Sequence, residues 1–270
     1  MSAFFKIAAG LLCVYALLVL FAYLVQRRMI YFPDRAYVRP VQVGLANVEE
    51  RVLKMPDGAR VIAWYAKARP GQPTLLYFHG NGGGLADRAD RFRRFMGEGW
   101  GVYMMSYRGY SGSTGAPSER AIIADARLAH GALVLEGIAP DSIILYGESL
   151  GTGVAARMAV ERPSAGLILE APYTSILDMA RLSFHILPLR LLLSDRYETD
   201  KVIAQVKVPV LILHGEEDGV IPVEMGRRLA RLANEPKQLV IFPEGEHSNL
   251  YVDGNNAVAS VRTWIAGLKN

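Results

Sequence analysis

The sequence predicts an α/β fold in which amphipathic helices cover both faces of one mostly parallel, eight-stranded sheet. Apolar runs rich in β-forming residues, such as "TLLYFHG" at 74–80 and "SIILYGES" at 142–149, alternate with segments of helical periodicity. This alternation is typical of βαβ units. The composition of the 270 residues, 51% hydrophobic and 21% charged, is also that of a folded chain with a substantial core.

The predicted elements follow one another along the chain. Two short strands flank Pro56-Asp57-Gly58, a tripeptide that favours a turn. Six buried strands come after them, within residues 74–80, 101–109, 142–149, 166–172, 208–218 and 238–247. Helices are expected within 89–96, from Pro117, from Leu150, within 224–233 and within 256–268.

The N-terminus predicts a single membrane-spanning helix, with residues 1–28 as an anchor. From Ile7 to Val25 no charged residue occurs, and about 20 such residues cross a bilayer as a helix. No small-x-small cleavage site follows, and Leu12 occupies the place before Cys13 where a lipoprotein signal needs a small residue. A buried core helix is the alternative. Positive charge is heavier after the helix, which favours a cytoplasmic location for the remaining chain.

Two further segments stand apart from the predicted βαβ pattern. Residues 29–47, with two prolines, are typical of a linker to a domain at 48–270. Within that domain, residues 175–206 contain no strand pattern, and "LSFHILPLRLLL" at 182–193 is strongly apolar. Two interpretations are open for 175–206: a small helical, cap-like insertion over the sheet, or a second core helix packed on it.

The stretch Gly147-Glu148-Ser149-Leu150-Gly151 places a serine between a predicted strand and a predicted helix. Gly-x-Ser-x-Gly in this context is the pattern of a nucleophile elbow, a tight turn that exposes the serine hydroxyl. The N-terminal N–H groups of the following helix point toward any negative charge that develops there. Ser149 is therefore the candidate nucleophile.

A serine hydroxyl needs a base and a group that orients the base, in the chain order Ser, acid, His. Asp218 and His247 follow two later strands at the same edge of the sheet. Of the five histidines, His247 alone comes after this acid, while Glu216 and Glu217 remain rival acids. His247 would accept the proton of Ser149, and Asp218 would hold the other ring nitrogen.

The same chemistry requires an oxyanion hole. "FHGNGGG" at 78–84 follows an early strand, and a glycine-rich loop there can direct main-chain N–H groups at a substrate. We expect the main-chain N–H groups of Asn81 and Leu150 to serve as the two donors. An ordinary glycine-rich turn is the alternative.

These motifs together resemble the α/β-hydrolase superfamily, and within it the membrane-anchored branch that includes depalmitoylating thioesterases. The resemblance covers roughly residues 48–268, and Ser106 departs from it where relatives often carry Asn or Asp. Its matching motifs are His79-Gly80-Asn81-Gly82, "SYRGYSGSTG" at 106–115, 147–151, His214-Gly215-x-x-Asp218-x-x-Ile221-Pro222 and Glu246-His247. It implies the α/β-hydrolase fold and a cofactor-free serine hydrolase that acts on esters or thioesters, with acyl or lipid-like substrates favoured by the anchor.

Other functional classes fit the sequence less well. A formal charge of +4 without a basic run argues against nucleic-acid binding, and no Cys and His cluster has zinc spacing. Gly-x-Gly-x-x-Ala at 151–156, with Glu170 further on, resembles a dinucleotide fingerprint but follows the serine elbow instead of a strand. A serine peptidase and an inactive binding protein on the same fold stay open, and the sequence leaves the oligomeric state undetermined.

Overall fold

The computed structural model describes residues 3–252 and 256–268. The ends of the predicted anchor and domain, residues 1, 2, 269 and 270, lie outside this range. The strands are β1 (Phe32–Pro33), β2 (Glu49–Lys54), β3 (Arg60–Ala66), β4 (Thr74–Phe78), β5 (Gly82–Gly83), β6 (Gly101–Met105), β7 (Ile143–Glu148), β8 (Gly166–Glu170), β9 (Val210–Gly215) and β10 (Lys237–Phe242).

Eight of these strands form one sheet in the order β10-β9-β8-β7-β4-β6-β3-β2. Only β3 is antiparallel to its neighbours, β2 and β6, and the other adjacent pairs are parallel. The prediction of a mostly parallel, eight-stranded sheet is confirmed. The chain passes from β4 to β6 on one side and then returns to β7 on the other. In open α/β sheets, ligands bind beyond the carboxyl ends of the strands at such a switch point.

Helices cover both faces of the sheet. They are α1 (Ala3–Ile30), α2 (Ala89–Gly97), α3 (Glu119–Leu135), α4 (Gly151–Glu161), α5 (Ile176–Arg181), α6 (Leu189–Leu192), α7 (Thr199–Ile203), α8 (Val223–Leu232) and α9 (Ala257–Gly267). Alternate residues of β7 enter two separate cores, because successive side chains of a strand point to opposite faces. Ile143 and Leu145 pack with α3, α4, α7 and α8, whereas Ile144 and Tyr146 pack with α2 and α9.

The segment 175–206 consists of two parts with different surroundings. Its C-terminal part, α7, is packed into the core through Val202 and Ile203. Its middle part exposes apolar side chains, including Ile186 and Leu191, at 73% and 85% exposure. The same stretch therefore contains one helix packed into the core and one part with exposed apolar side chains.

The N-terminal helix α1 is 28 residues long, with a mean hydropathy of 2.5 over its most apolar window, and so is long and apolar enough to cross a membrane. Only Gln26 and Ile30 of this helix are buried. Residues 29–47 then connect α1 to β2, and part of this connection is built into the fold. Phe32 and Pro33 form β1, which pairs in parallel with Gly82 and Gly83 of the glycine-rich loop.

Candidate active site

Ser149 lies at a sharp corner between β7 and α4, with a φ angle of +49°. Residues other than glycine rarely adopt this left-handed main-chain conformation, so the surrounding structure must hold Ser149 in it. A Cβ atom on Gly151 would collide with the carbonyl oxygen of Phe78, and one on Gly147 would lie 2.5 Å from the carbonyl oxygen of Gly151. The two glycines are therefore required because main chain approaches them closely.

Three side chains from distant parts of the sequence form one hydrogen-bonded chain beside this corner. His247 Nε2 lies 3.1 Å from Ser149 Oγ, and His247 Nδ1 lies 2.8 Å from Asp218 Oδ2. Ser149 and Asp218 are each 8% exposed, so water has little access to either side chain. The structure thus brings together all three candidate residues, in the geometry that a nucleophile, base and orienting acid require.

The carboxylate of Asp218 is held on both of its oxygens. Oδ1 accepts hydrogen bonds from the main-chain N–H groups of Val220 and Ile221, each 2.8 Å long, and His214 Nε2 lies 3.4 Å from Oδ2. Burial acts to raise the pKa of Asp218, but these donors and His247 outweigh it and hold the pKa well below its usual range. The group is thus a carboxylate at neutral pH.

The rival acids have other surroundings. Glu216 forms an exposed ion pair with Arg227, with a shortest separation of 2.6 Å, and the side chain of Glu217 is exposed. Asp218 is therefore the acid that faces His247. Burial acts to lower the pKa of His247, yet the hydrogen bond and charge of Asp218 outweigh it, so this pKa is raised above the ordinary 6.5.

Three of the four remaining histidines contact the main chain, and His79 Nδ1 lies 2.7 Å from the carbonyl oxygen of Gly80. Burial lowers the pKa of His79 to about 3, so its imidazole is neutral, and the ring stacks on Tyr107 at 4.0 Å. His130 Nε2 lies 2.9 Å from the carbonyl oxygen of Pro163, and His214 Nε2 lies 3.0 Å from that of Ile221. The fourth, His185, is exposed in the segment between α5 and α6.

Both expected oxyanion donors line the same cavity as Ser149. Within the described residues, neither the main-chain N–H of Asn81 nor that of Leu150 donates to a protein acceptor. The Tyr110 hydroxyl donates to the carbonyl oxygen of Asn81, and the Tyr107 hydroxyl donates to that of His79, each at 2.7 Å. The loop is thus fixed through its carbonyl groups, which leaves the N–H of Asn81 available to an anionic oxygen, as is the N–H of Leu150 at the start of α4.

One residue near the site has no sequence signal that identifies it. Arg88 donates to the carboxylate of Glu148 through Nε and Nη2, at 3.2 and 2.9 Å. Its Nη1 donates to the carbonyl oxygens of Gly82 and Gly84. Burial acts to raise the pKa of Glu148, but the charges of Arg88 and Arg91 lower it well below the usual range. The pair links the serine corner to the loop that carries Asn81.

An apolar cavity of about 420 Å³ opens above Ser149, within the size range of small-molecule sites. Its walls come from α1, from α5 and α6 with the chain between them, and from Val220 and Ile221. Ser149, Asn81 and Gln26 are among its few polar lining residues, and no charged side chain lines it within the described part of the chain.

The residues that resemble a dinucleotide fingerprint, 151–156 and Glu170, have structural roles. Glu170 is 1% exposed and its carboxylate lies 2.5 Å from Arg91 Nη1, so it is not available to a ribose. A Cβ atom on Gly153 would lie 2.5 Å from the Tyr173 hydroxyl, so this glycine permits close packing of α4. Among residues 3–252 and 256–268, no group of three His, Cys, Asp or Glu side chains could hold a metal ion.

A mostly parallel sheet of this strand order, with a serine on the tight turn after one of its central strands, defines the α/β-hydrolase class. Comparison with known proteins agrees. The family model described as "Serine aminopeptidase, S33" matches residues 70–198. The chain is also 33% identical over 267 residues to the alpha/beta hydrolase domain-containing protein WAV2 of Arabidopsis thaliana, covering 88% of this chain and 85% of that protein. The chain therefore belongs to the α/β-hydrolase family.

The chain is also similar to three further proteins. The chain is 36% identical over 251 residues to the uncharacterized protein Rv2307c of Mycobacterium tuberculosis, covering 92% of this chain and 89% of that protein. It is 34% identical over 227 residues to the lysophosphatidylserine lipase ABHD12 of Danio rerio, covering 75% of this chain and 59% of that protein. The fold resembles the esterase Pf2001 of Pyrococcus furiosus with a TM-score of 0.71, at 17% identity and with 89% and 98% of the two chains covered.

Proposed function

We propose that this chain is a membrane-anchored serine hydrolase that cleaves carboxylic ester or thioester bonds of acyl, lipid-like substrates. The observation that carries the proposal is the hydrogen-bonded chain from Ser149 through His247 to Asp218 at the base of an apolar cavity. The similarity to a protein named as a lysophosphatidylserine lipase and the fold shared with an esterase support the same reaction class.

In the proposed reaction, Ser149 Oγ attacks the substrate carbonyl carbon while His247 Nε2 takes the hydroxyl proton. The anionic oxygen that forms is stabilised by the main-chain N–H groups of Asn81 and Leu150. His247 then protonates the leaving alcohol or thiol, and an acyl-enzyme remains on Ser149. Water, deprotonated by His247, attacks this ester, and His247 returns the proton to Ser149 Oγ as the carboxylic acid leaves. Asp218 orients the imidazole and stabilises its charged form throughout.

A serine aminopeptidase is the second candidate, because the matching family model carries that description. An aminopeptidase must bind the ammonium group at the N-terminus of its substrate, and a carboxylate is the usual partner for a buried cation. None of the described residues that line the cavity is charged. The cavity therefore favours an uncharged acyl group over a peptide N-terminus.

The proposal also includes retention of α1 as a single membrane-spanning anchor, with the catalytic domain on the cytoplasmic side. Arg27 and Arg28 lie in the last turn of α1, as positive residues do at the cytoplasmic end of a span. Arg27 also pairs with Asp195 at 3.0 Å, so the helix is joined to the domain. Resistance of the full chain to extraction from membranes by alkaline carbonate tests the anchor, and release into the soluble fraction would contradict it.

The direct test is a substrate series with the full-length chain in detergent micelles. The substrates are nitrophenyl esters from acetyl to palmitoyl, matching acyl thioesters, and aminoacyl nitroanilides. We expect hydrolysis of the longer acyl esters or thioesters, with kcat reduced roughly 10⁴-fold or more in Ser149→Ala. Preference for aminoacyl nitroanilides would establish the peptidase instead. Equal rates for the wild type and Ser149→Ala would exclude a role for this serine.

A further inference from the structure

One face of the N-terminal helix α1 forms a wall of the cavity above Ser149. The lining residues recur every three or four positions, which places them on one side of a helix. They are Leu18, Phe21, Ala22, Val25, Gln26, Met29 and Ile30. The other side of α1 exposes apolar residues such as Leu17 and Leu24, at 65% and 69% exposure. This helix therefore has two separate apolar faces, one toward the cavity and one away from the protein.

Specific polar contacts hold α1 in this position. The buried amide of Gln26 donates through Nε2 to the carbonyl oxygen of Leu192 at 3.1 Å and accepts from the main-chain N–H of Ser194 at 2.8 Å. Close by, Asp195 receives hydrogen bonds from Arg27 Nε and the Tyr31 hydroxyl, at 3.0 and 3.1 Å. Satisfied buried polar groups of this kind fix one arrangement of the helix against the domain.

The end of α1 is also joined to the loop that carries the expected oxyanion donor. Asn81 Nδ2 donates to the carbonyl oxygen of Ile30, and the main-chain N–H of Phe32 donates to that of Asn81, both at 3.0 Å. The position of α1 and the position of Asn81 are thus set together.

The wall is long. Leu18 and Ile30 both line the cavity and are twelve residues apart, which corresponds to about 18 Å along a helix. The facing side is formed by apolar residues of the segment 176–193, including Phe184, Leu187 and Leu193. An uncharged, elongated cavity lined by Ser149 fits an unbranched alkyl chain better than a compact or charged group.

We propose that α1 is the acyl-chain-binding wall of the active site as well as its anchor. A long acyl chain lies between α1 and the segment 176–193, with its carbonyl carbon at Ser149. This inference rests on the proposed function, because it assumes that an acyl substrate is attacked at this serine. It adds that α1 determines chain-length specificity.

The test places a bulky side chain on each face of the same helix. Ala22→Trp fills the cavity wall, and Ala16→Trp is the matched control, because Ala16 is exposed on α1 and lies outside the cavity. The measurement is kcat/KM for palmitoyl and acetyl nitrophenyl esters with the full-length chain in micelles. We expect the palmitoyl-to-acetyl ratio to fall at least about 10-fold in Ala22→Trp and to stay at the wild-type value in Ala16→Trp.

The more conservative Ala22→Leu guards against a folding defect, and we expect a smaller fall of the same ratio. Labelling of Ser149 by a small fluorophosphonate reports whether each variant keeps an assembled site. An unchanged ratio in both Ala22 variants, or an equal fall in Ala16→Trp, would overturn the role of α1. A wild type that hydrolyses neither ester would instead contradict the proposed function itself.

Discussion

The carboxylate of Glu148 receives two hydrogen bonds from the guanidinium of Arg88, directly before the serine corner. The side chains are 19% and 12% exposed, so this ion pair is largely shielded from water. Since Arg88 also donates to the carbonyl oxygens of Gly82 and Gly84, one side chain fixes the distance between the serine corner and the oxyanion loop.

We therefore expect Arg88→Gln to lower kcat with little change in KM, because the N–H donors shift relative to the serine while the acyl wall stays in place. The buried carboxylate of Glu148 also loses its main partner, which lowers the free energy of unfolding by roughly 3 kcal/mol. Arg88→Lys should restore only part of kcat, since lysine cannot form the paired contact. Steady-state kinetics and urea unfolding measure both effects.

The control for Arg88 is an exposed ion pair. Arg262 is 58% exposed and contacts Glu98 at 2.5 Å on the surface. Glu98→Gln should change the free energy of unfolding by less than about 1 kcal/mol and leave kcat unaltered. If Arg88→Gln behaves like this control, Arg88 has no positioning role.

The pH dependence of kcat/KM depends on the contact between Asp218 and His247. His247 must be neutral to accept a proton, so kcat/KM falls as the pH drops through its pKa, which lies above 6.5. In Asp218→Asn the carboxylate charge that raises this pKa is gone. We therefore expect the acid limb to move to lower pH, together with a fall in kcat of about 10⁴-fold. An acid limb at the wild-type position would show that Asp218 does not act on His247.

Gly151 in the serine corner and Gly131 in α3 differ in the space around them. A methyl group at Gly151 collides with the main chain of Phe78, and we expect Gly151→Ala to lower the free energy of unfolding by more than about 3 kcal/mol. A methyl group at Gly131 in α3 would instead point into open space among the described residues, so Gly131→Ala should stabilise by roughly 0.5–1 kcal/mol. Thermal unfolding of the two variants tests this, and similar shifts would refute the steric argument.

The assignment of the oxyanion donor at Asn81 can be tested through its side chain. Asn81 Nδ2 is already bonded to the carbonyl oxygen of Ile30, so the main-chain N–H is the expected donor. Asn81→Ala should then reduce kcat less than the roughly 10²–10³-fold loss that follows removal of a side-chain donor. A loss of that full size, with unchanged stability, would assign the role to the side-chain amide.

Six strands of the main sheet, β4 and β6–β10, could be predicted from sequence because each is a short, mostly apolar run with a glycine or proline close by, as "GLILEAP" shows for β8 (Gly166–Glu170). The three candidate residues could be predicted because each follows such a run, and parallel strands bring their carboxyl ends to one edge. Asp218 could be ranked above Glu216 from sequence, but only its contact with His247 separates it from that rival.

Other features depend on contacts between distant segments. The two-residue pair of β1 and β5 is too short to produce a periodic pattern, so residues 29–47 resembled a simple linker. The apolar face of α1 toward the cavity and the one away from it are alike in composition, so hydropathy alone cannot divide them. Among the described residues of α1 that line the cavity, Gln26 is the one polar side chain. Its hydrogen bond to the carbonyl oxygen of Leu192 identifies the face of α1 that contacts the domain, and this contact between distant segments cannot be read from the sequence.

Covalent labelling of Ser149 tests the central claim most directly. The full-length chain in micelles is treated with a fluorophosphonate, and the modified peptide is identified by mass spectrometry. We expect one phosphonyl adduct per chain, located on Ser149, absent from Ser149→Ala and formed far more slowly by His247→Ala. An unmodified wild-type chain, or the same extent of labelling in Ser149→Ala, would contradict the proposal that this serine is an activated nucleophile.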